Sequence, residues 1–183
     1  MHHASKRHTA KGFTLLETMI AILVLAVGIL GLAAMLGDSL AYMQGSEDDF
    51  IAQQKAEEAV EAIFTAKYTN SVTWAQVSNF SGGNPTGLFL PGALALTVPG
   101  TDGLVGTATD TVAAPDYVLG PGPDGKLGTA DDVQIPLGSF TRTITITPYV
   151  GDANLRNINV TVNYKTGRFQ RSYTINTLIS AFD

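Results

Sequence analysis

The sequence predicts an α+β fold, with one long N-terminal helix followed by a small antiparallel sheet. Three observations carry that expectation. Residues 13–84 contain no proline, and their apolar and alanine positions keep helical spacing as far as Tyr68. Residues 139–183 alternate apolar and polar side chains with period two, the mark of strands with one buried and one wet face. Between them, residues 69–138 hold all but one of the eight prolines and most of the glycines, a composition of loops.

The N-terminus comes first. Residues 1–12 are polar and basic, with no apolar period. From Thr18 to Gly37 there are 20 residues without a charge. As a helix they extend about 30 Å, the thickness of a bilayer core. Lys6, Arg7 and Lys11 precede this span, and Asp38, Glu47, Asp48 and Asp49 follow it. The positive flank stays inside, so the N-terminus is expected in the cytoplasm and the rest of the chain exported. A cleaved secretory signal would also have a basic start and an apolar centre, with Gly31-Leu32-Ala33 before Ala34 as its cut. A plain membrane anchor and a buried soluble helix are the other readings. Glu17 separates them, because an acid inside a membrane segment costs about 2–3 kcal/mol or more, and a simple anchor gains nothing from it.

The stretch Lys11-Gly12-Phe13-Thr14-Leu15-Leu16-Glu17 resembles the N-terminal signature of type IV prepilins. The resemblance implies that prepilin peptidase cuts between Gly12 and Phe13 and N-methylates Phe13. It implies that Glu17 then pairs with the new Phe13 amine of a neighbouring subunit. It also implies a single-pass inner-membrane protein with a periplasmic C-terminal domain, assembled with other pilin or pseudopilin subunits. The run Ala26-Val27-Gly28-Ile29-Leu30-Gly31-Leu32-Ala33-Ala34 is most similar to minor pilins of the PilV type. Gly28 and Gly31 share one helix face, where small residues let helices approach closely, although glycine is also simply frequent in membrane helices.

The expected organisation is a cleaved leader over 1–12, a transmembrane or filament-core helix over 13–37, and an exported amphipathic helix over 38–68. A pilin-like head over 69–183 follows, with loops over 69–138 and the sheet over 139–183. An unbroken helix over 13–68 would be about 80 Å long, with Gly37 and Gly45 as the places where it could loosen. In its exported half, Leu40, Met43, Phe50, Ile51, Val60, Ile63, Phe64 and Tyr68 give the apolar spacing. Glu57, Glu58 and Glu61 read as a solvated flank, with contact to a basic neighbour as the alternative. Trp74 is expected to pack on the helix it follows.

One or two short strands are expected in the loop region, from Leu88-Phe89-Leu90 and Ala93-Leu94-Ala95-Leu96. Two of its segments resemble each other: residues 102–110 and 124–132 are identical at six of nine positions. The second copy carries Asp124, Asp131 and Asp132 in a Gly/Pro frame. Calcium wants several oxygens converging from a turning backbone, which makes these three its candidate ligands. The segment resembles the acidic calcium-binding loop of type II secretion pseudopilins, with Pro123 where those loops commonly have Ala. A pair of Asp-Gly surface turns without metal is the other reading.

In the sheet region, Ile144 and Ile146, then Ile158, Val160, Val162 and Tyr164, then Phe169, Tyr173 and Ile175 mark three apolar faces. Turns are expected at Gly151–Asn154 and at Lys165-Thr166-Gly167-Arg168. Residues 139–182 carry Arg142, Arg156, Lys165, Arg168 and Arg171 against Asp152, while 101–138 carry six Asp against Lys126. Such opposed patches suit either subunit contacts or an internal balance.

Composition bounds the function. The net charge is -5, and loss of Lys6, Arg7 and Lys11 with the leader leaves 8 Lys+Arg against 16 Asp+Glu. No electrostatic footprint for nucleic acid exists. There is no cysteine, and His2, His3 and His8 all precede Phe13. A mature chain without His or Cys lacks the commonest general base, metal ligand and nucleophile. Composition thus favours a structural over an enzymatic role, and the resemblance implies a minor pilin of the PilV type that primes or modifies a type IV pilus. A type II secretion pseudopilin and a calcium-dependent filament-tip adhesin are the alternatives.

Overall fold

The computed structural model of the protein describes residues 14–112, 114–167 and 169–182. The elements run α1 (Leu15–Tyr68), β1 (Leu94–Ala95), a 3-10 turn (Ala108–Val112), β2 (Tyr117–Gly120) and β3 (Val133–Pro136). Strands β4 (Thr141–Tyr149), β5 (Asp152–Thr166) and β6 (Phe169–Ser180) complete the chain. This is the expected α+β layout. Helix α1 remains helical through Gly37 and Gly45. The chain divides into two compact units, Met1–Met43 and Gln44–Asp183.

In the first unit, every described residue from Thr14 to Leu40 is exposed. An apolar helix that buries nothing within its own chain needs lipid or other helices around it. Among the described residues one helix is long and apolar enough to cross a membrane, and this is its apolar part.

The second unit is a helix laid on a sheet. The large sheet has the order β1-β4-β5-β6, with all three neighbouring pairs antiparallel. Ile144, Ile146, Ile158, Val160 and Val162 are buried on one face of it, as their alternation predicts. The helix side of this contact matches the expectation in part: Ile51 and Ile63 are buried, and Val60 and Phe64 pack partly against the core. Ala52, Ala56 and Ala59 are fully buried and continue through Ile63 to Ala66, a strict four-three spacing. Phe50, Tyr68, Leu40 and Met43 are exposed instead. The stripe buried against the core is thus built mainly from alanines, with Ile51 and Ile63 as its bulky members.

Three further corrections concern the strands. The loop region contributes three short strands rather than one or two. β1 joins the large sheet through Leu94↔Arg142, and β2 pairs with β3 in a separate hairpin. The β4–β5 turn is tighter than expected, because β5 already begins at Asp152. Phe169 is 76% exposed at the start of β6, although Tyr173 and Ile175 of the same alternation pack against the core. It lies beyond the last fully covered rung of the sheet.

Polar clamps tie the loops down where no disulfide is available. Asn79 acts as a stand-in peptide on the edge of β4: its amide donates to Ile144 O (2.8 Å) and its carbonyl accepts from Ile146 N (2.7 Å). The Arg156 guanidinium lies 4.2 Å from the Trp74 ring centroid and donates to the carbonyls of Trp74 and Val77. On α1, Lys55 Nζ lies 2.7 Å from Asp116 Oδ2 and 2.9 Å from Glu58 Oε2. Asp116 is buried, and its Oδ2 has no well-angled hydrogen bond, so the lysine charge is its compensation. Burial pushes the Lys55 ammonium down, but the Asp116 and Glu58 carboxylates outweigh it and hold the pKa above the usual value. Near the start of this helix segment, Arg171 Nη1 bonds Asp49 at 2.7 Å. Tyr164 donates to the same carboxylate, and burial together with Asp49 pushes its phenol up to about 12. Arg142, Arg156 and Arg171 of the basic patch have internal partners, the first two on backbone carbonyls and the third on Asp49 of α1, so none of these hydrogen bonds reaches an acid of 101–138.

Candidate assembly site and the paired acidic loops

Gly12 and Phe13 lie outside the described residues. The structure begins at Thr14, and the first turn of α1 shows how the helix starts there. Thr14 Oγ1 accepts a hydrogen bond from Glu17 N at 3.3 Å. A threonine before the first helical residue, with a glutamate three positions on, is the sequence pattern of a capping box. Thr14-Leu15-Leu16-Glu17 displays it plainly, yet the residue types alone had drawn attention only to the acid. The cap marks the start of the described helix at Leu15.

Glu17 therefore sits in the first turn of α1, directly ahead of the uncharged run from Thr18 to Gly37. Its carboxylate makes no hydrogen bond or ion pair among the described residues. Gly28 and Gly31 lie further along the same helix, and a Cβ built on either would meet nothing within 4 Å. The structure thus places the acid and the two glycines on one exposed rod without bringing them together.

Residues 7–33 match the family model of the prokaryotic N-terminal methylation motif. The chain has a type IV prepilin-like N-terminus. The matched segment takes in residues 7–13, Glu17, Gly28 and Gly31, and stops within the apolar part of α1. Its motif is that of pilin-like and pseudopilin subunits, which implies processing by prepilin peptidase and assembly with other subunits. Neither the curated proteins nor the solved structures offer a match. The prepilin-like assignment therefore rests on the N-terminal segment, and the head is described from its own geometry.

The two similar loops prove to be one structure built twice. Gly103 and Gly125 both have φ +70°, and Gly106 and Gly128 have φ +81° and +84°, so left-handed residues fall at matching positions. Leu104 N donates to Asp102 Oδ1 and Lys126 N to Asp124 Oδ1. Gly106 N donates to Asp110 Oδ2 and Gly128 N to Asp132 Oδ2. The likeness reaches back to Gly100 and Gly122, whose amide-side neighbours crowd them alike. A Cβ on Gly100 would lie 2.0 Å from Thr109 Oγ1, and one on Gly122 would lie 2.1 Å from Asp131 O.

Their surroundings differ. In the first copy Leu104 and Val105 are each 1% exposed and belong to the core. In the second, Lys126 and Leu127 occupy those positions and Leu127 is 63% exposed. This gives a paired prediction. Gly100→Ala should lower global stability by about 1–3 kcal/mol, because its loop is packed into the core. Gly122→Ala should disturb only the hairpin loop and leave the thermal midpoint nearly unchanged. Thermal unfolding of both variants by circular dichroism checks this.

The calcium candidates serve the loop itself. Asp131 Oδ2 accepts from Asp124 N, its Oδ1 accepts from the Thr129 hydroxyl, and Asp132 Oδ2 accepts from Gly128 N. The Thr129 hydroxyl and the Asp124 amide hold the Asp131 carboxyl below the usual range. Among the described residues no three His, Cys, Asp or Glu side chains form a group that could hold a metal ion. In this arrangement the carboxylates expected to hold calcium also accept hydrogen bonds from the loop's own amides and hydroxyl.

Proposed function

We propose that this protein is a minor pilin of the PilV type, a structural subunit that primes or modifies a type IV pilus. The observation that carries this reading is the methylation motif joined to an exposed apolar helix with a lone acid in its first turn. In the proposed sequence of events, the chain inserts once into the inner membrane with its N-terminus cytoplasmic. Prepilin peptidase cuts between Gly12 and Phe13 and methylates the Phe13 amine. Neighbouring helices then stack, with Glu17 of one subunit meeting the Phe13 amine of the next. Gly28 and Gly31 allow close approach where they face another helix.

The acid explains why assembly would follow insertion. A carboxylate and an ammonium in low dielectric attract strongly, and each is costly alone. Cleavage creates the ammonium, so the pair can form only from processed chains.

The mass of the mature protein tests this reading. The expected chain begins at Phe13 and carries one extra methyl group. A chain beginning near Ala34 would show a cleaved secretory signal and refute it. A type II secretion pseudopilin shares this N-terminus, and the Gly-rich acidic loop at 122–132 favours that second reading. Recovery of the protein in pili sheared from the cell surface separates the two.

A further inference from the structure

The outer face of the large sheet is chemically uniform across β4, β5 and β6. Register pairs place Thr143, Thr161 and Thr174 in one row across β4, β5 and β6, and Thr145, Asn159 and Asn176 in the next. The row before them holds Thr, Asn and Ser, and the row after holds Thr, Asn and Leu178. These four rows contain no charged side chain, in a protein that is 15% charged. Every arginine of these strands with a described side chain has its hydrogen bonds elsewhere: Arg142 to α1, Arg156 to the Trp74 loop and Arg171 to Asp49. Lys165, paired with Gln170, bounds the face at one end. Exposed Leu178 and Tyr149 lie toward the other, where Tyr149 pairs with Asp152.

The face is also ordered. Thr161 and Thr174 hydroxyls lie 2.9 Å apart, and the Asn159 amide donates to Asn176 Oδ1 at 2.6 Å. The Thr161 hydroxyl also donates to Asn159 Oδ1 at 3.2 Å. Such bonds fix rotamers before any ligand arrives, which lowers the ordering cost of binding. Each hydroxyl and amide keeps further donor or acceptor capacity. The sheet spaces these groups about 7 Å apart along a strand and about 5 Å apart between strands.

We infer that this face binds a neutral, hydroxyl-rich polysaccharide laid across the strands. The choice of occupant follows from charge. A basic or acidic partner would find no counter-charge within the four rows. An apolar partner would strand a field of hydroxyls and amides, which is costly. A surface of uncharged hydroxyls matches the donors and acceptors without desolvating an ion, and Leu178 and Tyr149 offer an apolar edge for a sugar ring. The site adds a function to the head that the assembly reading does not require, and it involves neither acidic loop.

Retention of the detergent-solubilised full chain on insoluble cellulose and chitin tests the inference, with carboxymethyl-cellulose as the anionic comparison. The expected result is retention on at least one neutral polymer and weaker retention on the anionic one. Thr145→Asp combined with Thr174→Asp should reduce that retention about tenfold or more, since each carboxylate must be desolvated against the polymer. Unchanged circular dichroism and thermal midpoint would show that the variant is folded, and single Thr147→Asp serves if it is not. No retention on either neutral polymer would overturn the inference, as would equal retention of the folded variant. Self-association of the chain that the same substitutions abolish would also overturn it, by showing that a second copy occupies the face. The assay uses no filament, so its failure leaves the mature mass and the assembly reading to stand or fall separately.

Discussion

Glu17→Leu should leave the chain inserted and cleaved but lower its incorporation into filaments at least about tenfold. The geometry of the first helical turn makes this a clean test. Thr14 caps the helix through the backbone amide of residue 17. That donor survives replacement of the side chain, so the helix still starts at Leu15. Leucine is also easier to place in lipid than glutamate, so insertion should if anything improve. What is lost is the carboxylate and its partner amine on the next subunit. Glu17→Gln, which keeps the shape and most of the cap but not the charge, should fail in the same way. Comparing the variant in sheared fibres and in the membrane fraction by immunoblot measures the effect. Normal incorporation of cleaved Glu17→Leu would show that the pairing does not drive assembly.

Asp116→Ala should destabilise the head by about 3 kcal/mol, near the lower end of the range for a broken buried ion pair. Lys55 retains Glu58 at 2.9 Å, so the orphaned ammonium is only partly uncompensated. In a chain of this size the loss corresponds to a drop of about 10 °C in thermal midpoint. Combining Lys55→Met with Asp116→Leu should recover most of it, because removing both charges also removes their desolvation cost. Thermal unfolding of the single and double variants decides the matter. A double variant no more stable than Asp116→Ala would mean that the contact matters through packing of the 114–116 segment and not through charge.

Both effects arise from residues whose meaning was unequally legible in the sequence. Glu17 stood out because a charge inside an apolar run is costly, and its neighbours Gly12 and Phe13 completed a known signature. The period-two runs of β4 and β5 specified which residues would be buried, and Ile158, Val160 and Val162 are fully so, whereas Tyr173 and Ile175 of β6 are only partly covered. The helix contact was harder to read. Ala52, Ala56 and Ala59 score as good helix formers anywhere, so nothing in their identity says that a sheet lies on them. The Lys55–Asp116 pair joins residues far apart in sequence and of the commonest exposed types. Only folding brings them together. Phe169 misled because alternation specifies a face but not where the cover over that face ends. The acidic loops were visible as repeated letters. Their shared backbone, and the fate of Leu104 against Leu127, depended on what each loop was packed against.

That duplication has a consequence for how the surface can change. The first loop is held by the core through Leu104 and Val105, so its sequence is constrained from within. The second repeats the same scaffold at the tip of a hairpin, where the side chains at 126 and 127 answer to nothing inside the molecule. A lineage could rewrite those positions, or lengthen the tip, without disturbing the helix, the sheet or the order in which subunits join. The inner copy preserves the mould while the outer copy is free to vary at the exposed tip of the hairpin.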